Sequence, residues 1–127
     1  MNLILWRHAE AEDAAGRGGD LARPLTGRGQ AQAERVAAWL APRLPAKARI
    51  VASPALRCQE TAAALGRTIA TIAAIAPDAA PETLLGATGW PDGSETVVVI
   101  GHQPTLGQAA ALAMGVAGAS WQMKKGA

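Results

Sequence analysis

Thr96-Val97-Val98-Val99-Ile100-Gly101-His102-Gln103-Pro104 is the stretch that decides the fold. Its first five residues are all β-branched and run without polar interruption, the pattern of a strand covered on both faces, as in a parallel sheet. Thr105 then reads as the N-cap of a helix to Met114, ended by Gly115. The same grammar opens the chain. Asn2 to Trp6 is too short for a helix and unbroken enough for a buried strand, and it stops at Arg7-His8. It returns at Arg49-Ile50-Val51-Ala52, a short strand followed by Ser53 as a helix cap and Pro54 at the first helical position. That helix is expected to run through Arg57, Thr61 and Leu65 to about Gly66.

Between these units the signals are weaker. Glu10, Glu12, Asp13, Gly16, Gly18, Gly19, Asp20 and Pro24 make residues 9–25 read as an exposed loop. Thr26 looks like an N-cap, and Val36, Trp39 and Leu40 recur at helical spacing as the core face of a helix from Gly27 to about Arg43, closed by Pro42 and Pro45. Thr71 to Ile75 is a candidate strand, Pro81 to Leu85 a helical turn, and Pro91-Asp92-Gly93-Ser94 a turn. Strand and helix alternate throughout. The expected class is therefore α/β, a mostly parallel sheet with helices on both faces in three layers, and 127 residues make one domain, 1–127.

Composition narrows the function. Half the residues are hydrophobic, so a buried core is expected, built from Ala, Leu, Val, Ile and the four tryptophans Trp6, Trp39, Trp90 and Trp121. There is no Phe or Tyr on which bases could stack, and a net charge of +2 is too weak a field for nucleic acid. Lys124 and Lys125 are too few for a lipid or nucleic-acid patch. No apolar run approaches the roughly 20 residues of a membrane span, and the N-terminus carries no signal-peptide pattern, so a cytoplasmic protein is expected. One cysteine excludes an intramolecular disulfide, and two histidines 94 positions apart give no metal-ligand spacing. Neither a metal nor another cofactor is expected. Cys58 adjoins Arg57, but position 64 is Ala, where a thiol phosphatase would carry Arg, so Cys58 reads as a packing residue.

Nine of the twelve basic residues are Arg, whose planar fork suits bidentate binding of oxyanions. Three polar groups share one structural place. Arg7 and His8 end the first strand, Ser53 to Arg57 follow the second, and His102 follows the last. Ligands of open α/β sheets bind at the carboxyl ends of strands. Arg57 also sits in a first helical turn, where free N–H groups and the dipole favour anions. Each residue alone is an ordinary surface charge or turn histidine; the joint arrangement describes an oxyanion site.

Arg7-His8-Ala9 after an N-terminal strand resembles the Arg-His-Gly signature of the histidine phosphatase (phosphoglycerate mutase-like) superfamily. Ser53-Pro54-Ala55-Leu56-Arg57 with Thr61-Ala62 is similar to that family's second-arginine motif, and Val99-Ile100-Gly101-His102 to its second-histidine motif. Asp20, Arg23-Pro24-Leu25-Thr26 and His102-Gln103-Pro104 resemble the small SixA-type phosphohistidine phosphatases. Ala9 stands where the superfamily has glycine. The chain ends at Lys124-Lys125-Gly126-Ala127, where family members continue into one further strand, so that strand is expected to be absent or the chain a fragment.

The resemblance implies a metal-independent phosphatase. His8 would be the nucleophile and pass through a phosphohistidine intermediate, while Arg7, Arg57 and His102, with Arg23 as a fourth group, would neutralise the phosphoryl oxygens. The larger members carry a carboxylic acid before the last motif; here that region offers only Asp78 and Glu82. A phosphohistidine departs as imidazole and depends less on such an acid than an alkoxide does. The stretch between the second helix and the last strand is also too short for a large capping insertion. Both points favour a phosphohistidine-bearing protein, such as a phosphotransfer domain, as the partner. A small-metabolite phosphomonoesterase and a non-catalytic phosphate-binding regulatory module are the alternatives.

Overall fold

A computed structural model describes residues 1–13, 18–115 and 125–126. Gly16, Trp121 and Lys124, and the expectation about a missing last strand, fall outside the described residues. Among the described residues four strands form the sheet: β1 (Asn2–Arg7), β2 (Arg49–Ala52), β3 (Ile69–Thr71) and β4 (Thr96–Gly101). Their order is β1-β4-β2-β3, and every pairing is parallel. The strands are connected or followed by the helices α1 (Gly27–Leu40), α2 (Leu56–Ala63), α3 (Pro81–Thr88) and α4 (Thr105–Ala113). The expected α/β class is what the chain adopts.

The unbroken apolar run of β4 serves two cores at once. Val98 and Ile100 face one way, against Ala37 and Leu40 of α1 and Cys58 and Ala62 of α2. Val97 and Val99 face the other, against Leu84 and Leu85 of α3 and Leu106 and Ala109 of α4. Alternation at period two is thus present, but both faces are apolar because both are covered. The chain steps one way across the sheet through α1 and α2, then back through α3. Right-handed crossovers put helices on opposite faces when the direction reverses, which is the distribution observed.

Several local expectations are corrected. Trp39 is not core: it is 60% exposed, with the Arg43 guanidinium 4.3 Å over its ring. The buried face of α1 is Gly29, Ala33, Ala37 and Leu40, and a residue two positions past Ala37 turns about 200° away from it. The third strand comes earlier than Thr71–Ile75, at Ile69–Thr71, with a 3-10 turn over Ala73–Ile75. As an edge strand among the described residues, β1 leaves Leu3, Ile4 and Leu5 only half-buried. The 9–25 segment is not a simple exposed loop either. Ala9, Ala11 and Leu25 are buried, Ala11 bridges Leu25, and a 3-10 turn forms at Asp20–Ala22. Helix α1 approaches this segment so closely that a Cβ on Gly29 would lie 1.9 Å from the Glu10 carbonyl oxygen.

Two caps are reassigned. Thr26 caps α1 as expected, accepting from the Gly29 amide. Ser53, by contrast, precedes α2 by three residues and accepts from the Ala55 amide, while its hydroxyl meets His102. At α4 the expected cap Thr105 donates instead to the Ala79 carbonyl, and Gln103 Oε1 accepts from the Gly107 amide.

Candidate active site

The parallel register sets the site. Arg7 lies opposite Gly101, and Ala52 opposite Ile100, so the carboxyl ends of β1, β4 and β2 finish together. The next residue of each strand continues the ladder. The His8 amide donates to the Gly101 carbonyl at 3.2 Å, and the Ser53 amide to the Ile100 carbonyl at 3.1 Å. His8, His102 and Ser53 are thereby brought side by side, all buried, and Arg57 enters from the first turn of α2, also buried. The imidazole rings of His8 and His102 are 5.5 Å apart between centroids.

Hydrogen bonding assigns the tautomers. His8 Nδ1 meets the Ala9 carbonyl oxygen at 2.8 Å. A carbonyl only accepts, so Nδ1 carries the proton and Nε2 keeps its lone pair. His102 is the reverse. Its Nδ1 faces Arg57 Nη2, a donor, at 3.4 Å, so its Nε2 carries the proton and donates to Ser53 Oγ at 2.7 Å. Burial first, and then the positive charge of Arg57 and Arg7, lowers both imidazoles from 6.5 to about 4. Each is neutral near pH 7.

Thr61 ties the site together from below. Its hydroxyl donates to the Arg57 carbonyl at 2.7 Å and accepts from the Ala9 amide at 3.0 Å, linking α2 to the peptide that holds His8. Glu60 accepts from the Leu25 amide at 2.8 Å and so fastens the 9–25 segment to the same helix.

Arg57 reaches into that segment. Its Nη1 donates to the Asp20 carbonyl oxygen at 2.9 Å and its Nη2 to Asp20 Oδ2 at 3.2 Å. Arg23 Nε donates to Asp20 Oδ1 at 3.0 Å and its Nη1 to the Glu12 carbonyl. Desolvation draws the Asp20 carboxyl upward, but the Arg57 and Arg23 guanidiniums outweigh it and hold Asp20 below the usual carboxylate range. Arg23, expected as a fourth group for the phosphoryl oxygens, holds the carboxylate that in turn holds Arg57.

Not every expected group is drawn in. Asp78 and Glu82 are both exposed, and neither is among the charges acting on His8 or His102. Cys58 lies in the core with its Sγ 3.5 Å from His102 Nε2, and burial pushes its thiol up to about 12, so it is not a nucleophile. Asp20, Thr61 and Lys125 had no assigned role from sequence, and the Ser53 hydroxyl was expected only as a helix cap. The Gly126 amide donates to the His8 carbonyl at 3.2 Å, which brings Lys125 close enough for its charge to act on His8. Asp20 and Thr61 lay within quoted motifs, a signal that could have found them; Lys125 had none. Among the described residues no group of three or more His, Cys, Asp or Glu is arranged to hold a metal ion. No helix among them is long and apolar enough to cross a membrane.

The chain is similar in sequence and in fold to known proteins. An uncharacterised protein of Picosynechococcus sp. strain PCC 7002 is 34% identical over 133 positions, covering 98% of this chain and 81% of that one. Among solved structures, a SixA protein of Agrobacterium tumefaciens superposes with TM-score 0.75 at 32% identity, covering 87% of this chain and 74% of the other. The protein histidine phosphatase SixA solved with tungstate superposes with TM-score 0.76 at 25% identity, over 87% and 75% of the two chains. The family model for the histidine phosphatase superfamily, branch 1, matches residues 3–87. That span runs from β1 through α3 and takes in His8 and Arg57, and the chain belongs to this superfamily.

Proposed function

We propose that this chain is a metal-independent phosphatase that hydrolyses phosphohistidine on a protein, with His8 as nucleophile. The observation that carries the reading is the hydrogen bond from His8 Nδ1 to the Ala9 carbonyl, which leaves the lone pair on Nε2 of a neutral imidazole. Nε2 attacks phosphorus, the bond to the substrate nitrogen breaks, and the phosphoryl group rests on His8 until water displaces it. The Arg57 and Arg7 guanidiniums supply positive charge for the developing equatorial oxygens, and the His102 Nε2–H, here held by Ser53 Oγ, must leave that partner to join them. The Arg57 Nε–H, buried and without a partner among the described residues, is a donor suited to one of those oxygens. Fixed guanidinium charge supplies what a divalent ion supplies elsewhere.

The choice of leaving group rests on the carboxylates. Asp20 is the carboxylate whose charge acts on His102, and its two arginine partners keep it ionised, so it has no proton to give at neutral pH. Asp78 and Glu82 are exposed, and neither is among the charges acting on the two imidazoles. A site so furnished favours a leaving group that departs without a strong acid, and an imidazole meets that condition better than an alkoxide. A SixA protein similar to this chain was solved with tungstate, a tetrahedral oxyanion, which supports oxyanion binding here.

The test is twofold. Phosphate release is compared between a histidine-phosphorylated phosphotransfer domain and a panel of sugar phosphates, and the enzyme is quenched during turnover without acid. The expected result is faster release from the phosphoprotein and an acid-labile, base-stable label on His8. A label on another residue overturns the mechanism. Preference for a sugar phosphate overturns the substrate class.

A further inference from the structure

We infer that Asp20 is a positioning residue for the phosphoryl clamp: it grips the terminal nitrogens of Arg57 so that the guanidinium's inner edge is presented to the substrate. The inference rests on the proposed phosphatase site but concerns a residue to which that reading gives no part.

The geometry is specific. Arg57 spends both Nη atoms on Asp20, one on its backbone oxygen at 2.9 Å and one on its carboxylate at 3.2 Å. Its Nη2 also faces His102 Nδ1 at 3.4 Å. Nε remains, buried and without a partner among the described residues. A buried donor with nothing to bond costs free energy and persists only where the surroundings fix it or a ligand completes it. Here the surroundings fix it. The guanidinium is planar, so holding both Nη atoms fixes the plane and the direction of the Nε–H.

The Asp20 carboxylate is itself held. Its other oxygen takes the Arg23 Nε at 3.0 Å, and Arg23 is tied to the Glu12 carbonyl. Fastened by Glu60 to the Leu25 amide, the 9–25 segment thus carries a chain of contacts from Glu12 through Arg23 and Asp20 to Arg57. The carboxylate keeps 59% of its side chain exposed, and the two guanidiniums together outweigh its desolvation. Guanidinium orientation set this way matters because small displacements of a charge clamp lose much of its effect.

The alternative is that Asp20 competes with the phosphoryl group for Arg57, and the two roles have opposite signs. Inorganic phosphate affinity is measured by calorimetry for the wild type, Asp20→Ala, Asp20→Asn and Arg57→Ala, alongside Tm and the KM and kcat for a phosphorylated phosphotransfer domain. Positioning predicts that Asp20→Ala weakens phosphate about tenfold and raises KM more than it lowers kcat, with Tm little changed. Asp20→Asn, which keeps one acceptor for Arg57, falls between Asp20→Ala and the wild type. Phosphate binding within twofold of wild type, or tighter, in Asp20→Ala overturns the inference. Should that variant not fold, the same limit applied to Asp20→Asn decides. Failure of the underlying site reading looks different: wild type and Arg57→Ala would then bind phosphate equally, or neither would bind it.

Discussion

The rings of His8 and His102 lie with centroids 5.5 Å apart and planes at 57°, although 94 positions separate them in sequence. At that spacing one phosphoryl group can stand within reach of both, yet their Nε2 atoms are in opposite protonation states. His8 offers a lone pair on Nε2, whereas His102 offers a proton there. A division of labour follows.

His8→Ala is expected to abolish turnover while phosphate still binds through the arginines. His102→Ala should keep the covalent route and lose one donor to the developing charge, a loss of about 10²–10³-fold in kcat. Single-turnover kinetics with phosphate calorimetry separates the two. Near-normal turnover in His8→Ala is the result that sinks the scheme.

Both imidazoles sit near 4 in the folded protein against an ordinary 6.5. The unfolded chain therefore takes up protons below about 6.5 that the folded chain refuses until about 4. Stability must fall as pH drops through that window and change no further from these groups below it. Two groups give at most about 2.7 kcal/mol per pH unit. For the same reason kcat/KM should hold from neutral pH to about 5. Bound phosphoryl charge favours the imidazolium, so the acid limb of kcat should lie above that of kcat/KM. Denaturant midpoints and rate profiles between pH 4.5 and 7.5 check both; a flat midpoint between pH 7 and 5 refutes the shifts.

Cys58 is fully buried and its thiol is pushed up to about 12. The native enzyme should resist iodoacetamide and keep its activity, with labelling only on unfolding. Activity should equally survive chelation. Inactivation that tracks thiol labelling, or loss in chelator reversed by Mg²⁺ or Zn²⁺, would contradict the arginine-based scheme.

Two glycines should respond with opposite signs. A Cβ at Gly29 would strike the Glu10 carbonyl oxygen, so Gly29→Ala must push α1 off the 9–25 segment and cost about 1–3 kcal/mol. Gly86, exposed inside α3, leaves open space within 4 Å of an added methyl, and Gly86→Ala should stabilise by up to about 1 kcal/mol. Paired Tm measurements read the difference.

What the sequence determined by itself is local. Apolar runs within Asn2–Trp6, Arg49–Ala52 and Thr96–Ile100 specify strands, and Arg7, His8, Arg57 and His102 were legible as candidates because each abuts a strand end or a helix start. Periodicity failed for Trp39, since an aromatic ring counts as apolar whichever way its helix turns, and only the position of the sheet shows that it faces water. Tertiary structure alone decided the partners. Nothing local sends the Ser53 hydroxyl to His102, Asp20 to Arg57 across 37 positions, or Gly126 back to His8. Those contacts depend on which strands become neighbours and on which face each crossover helix lies. That order is settled by burying both faces of β4 together, a property of the whole chain that no single segment encodes.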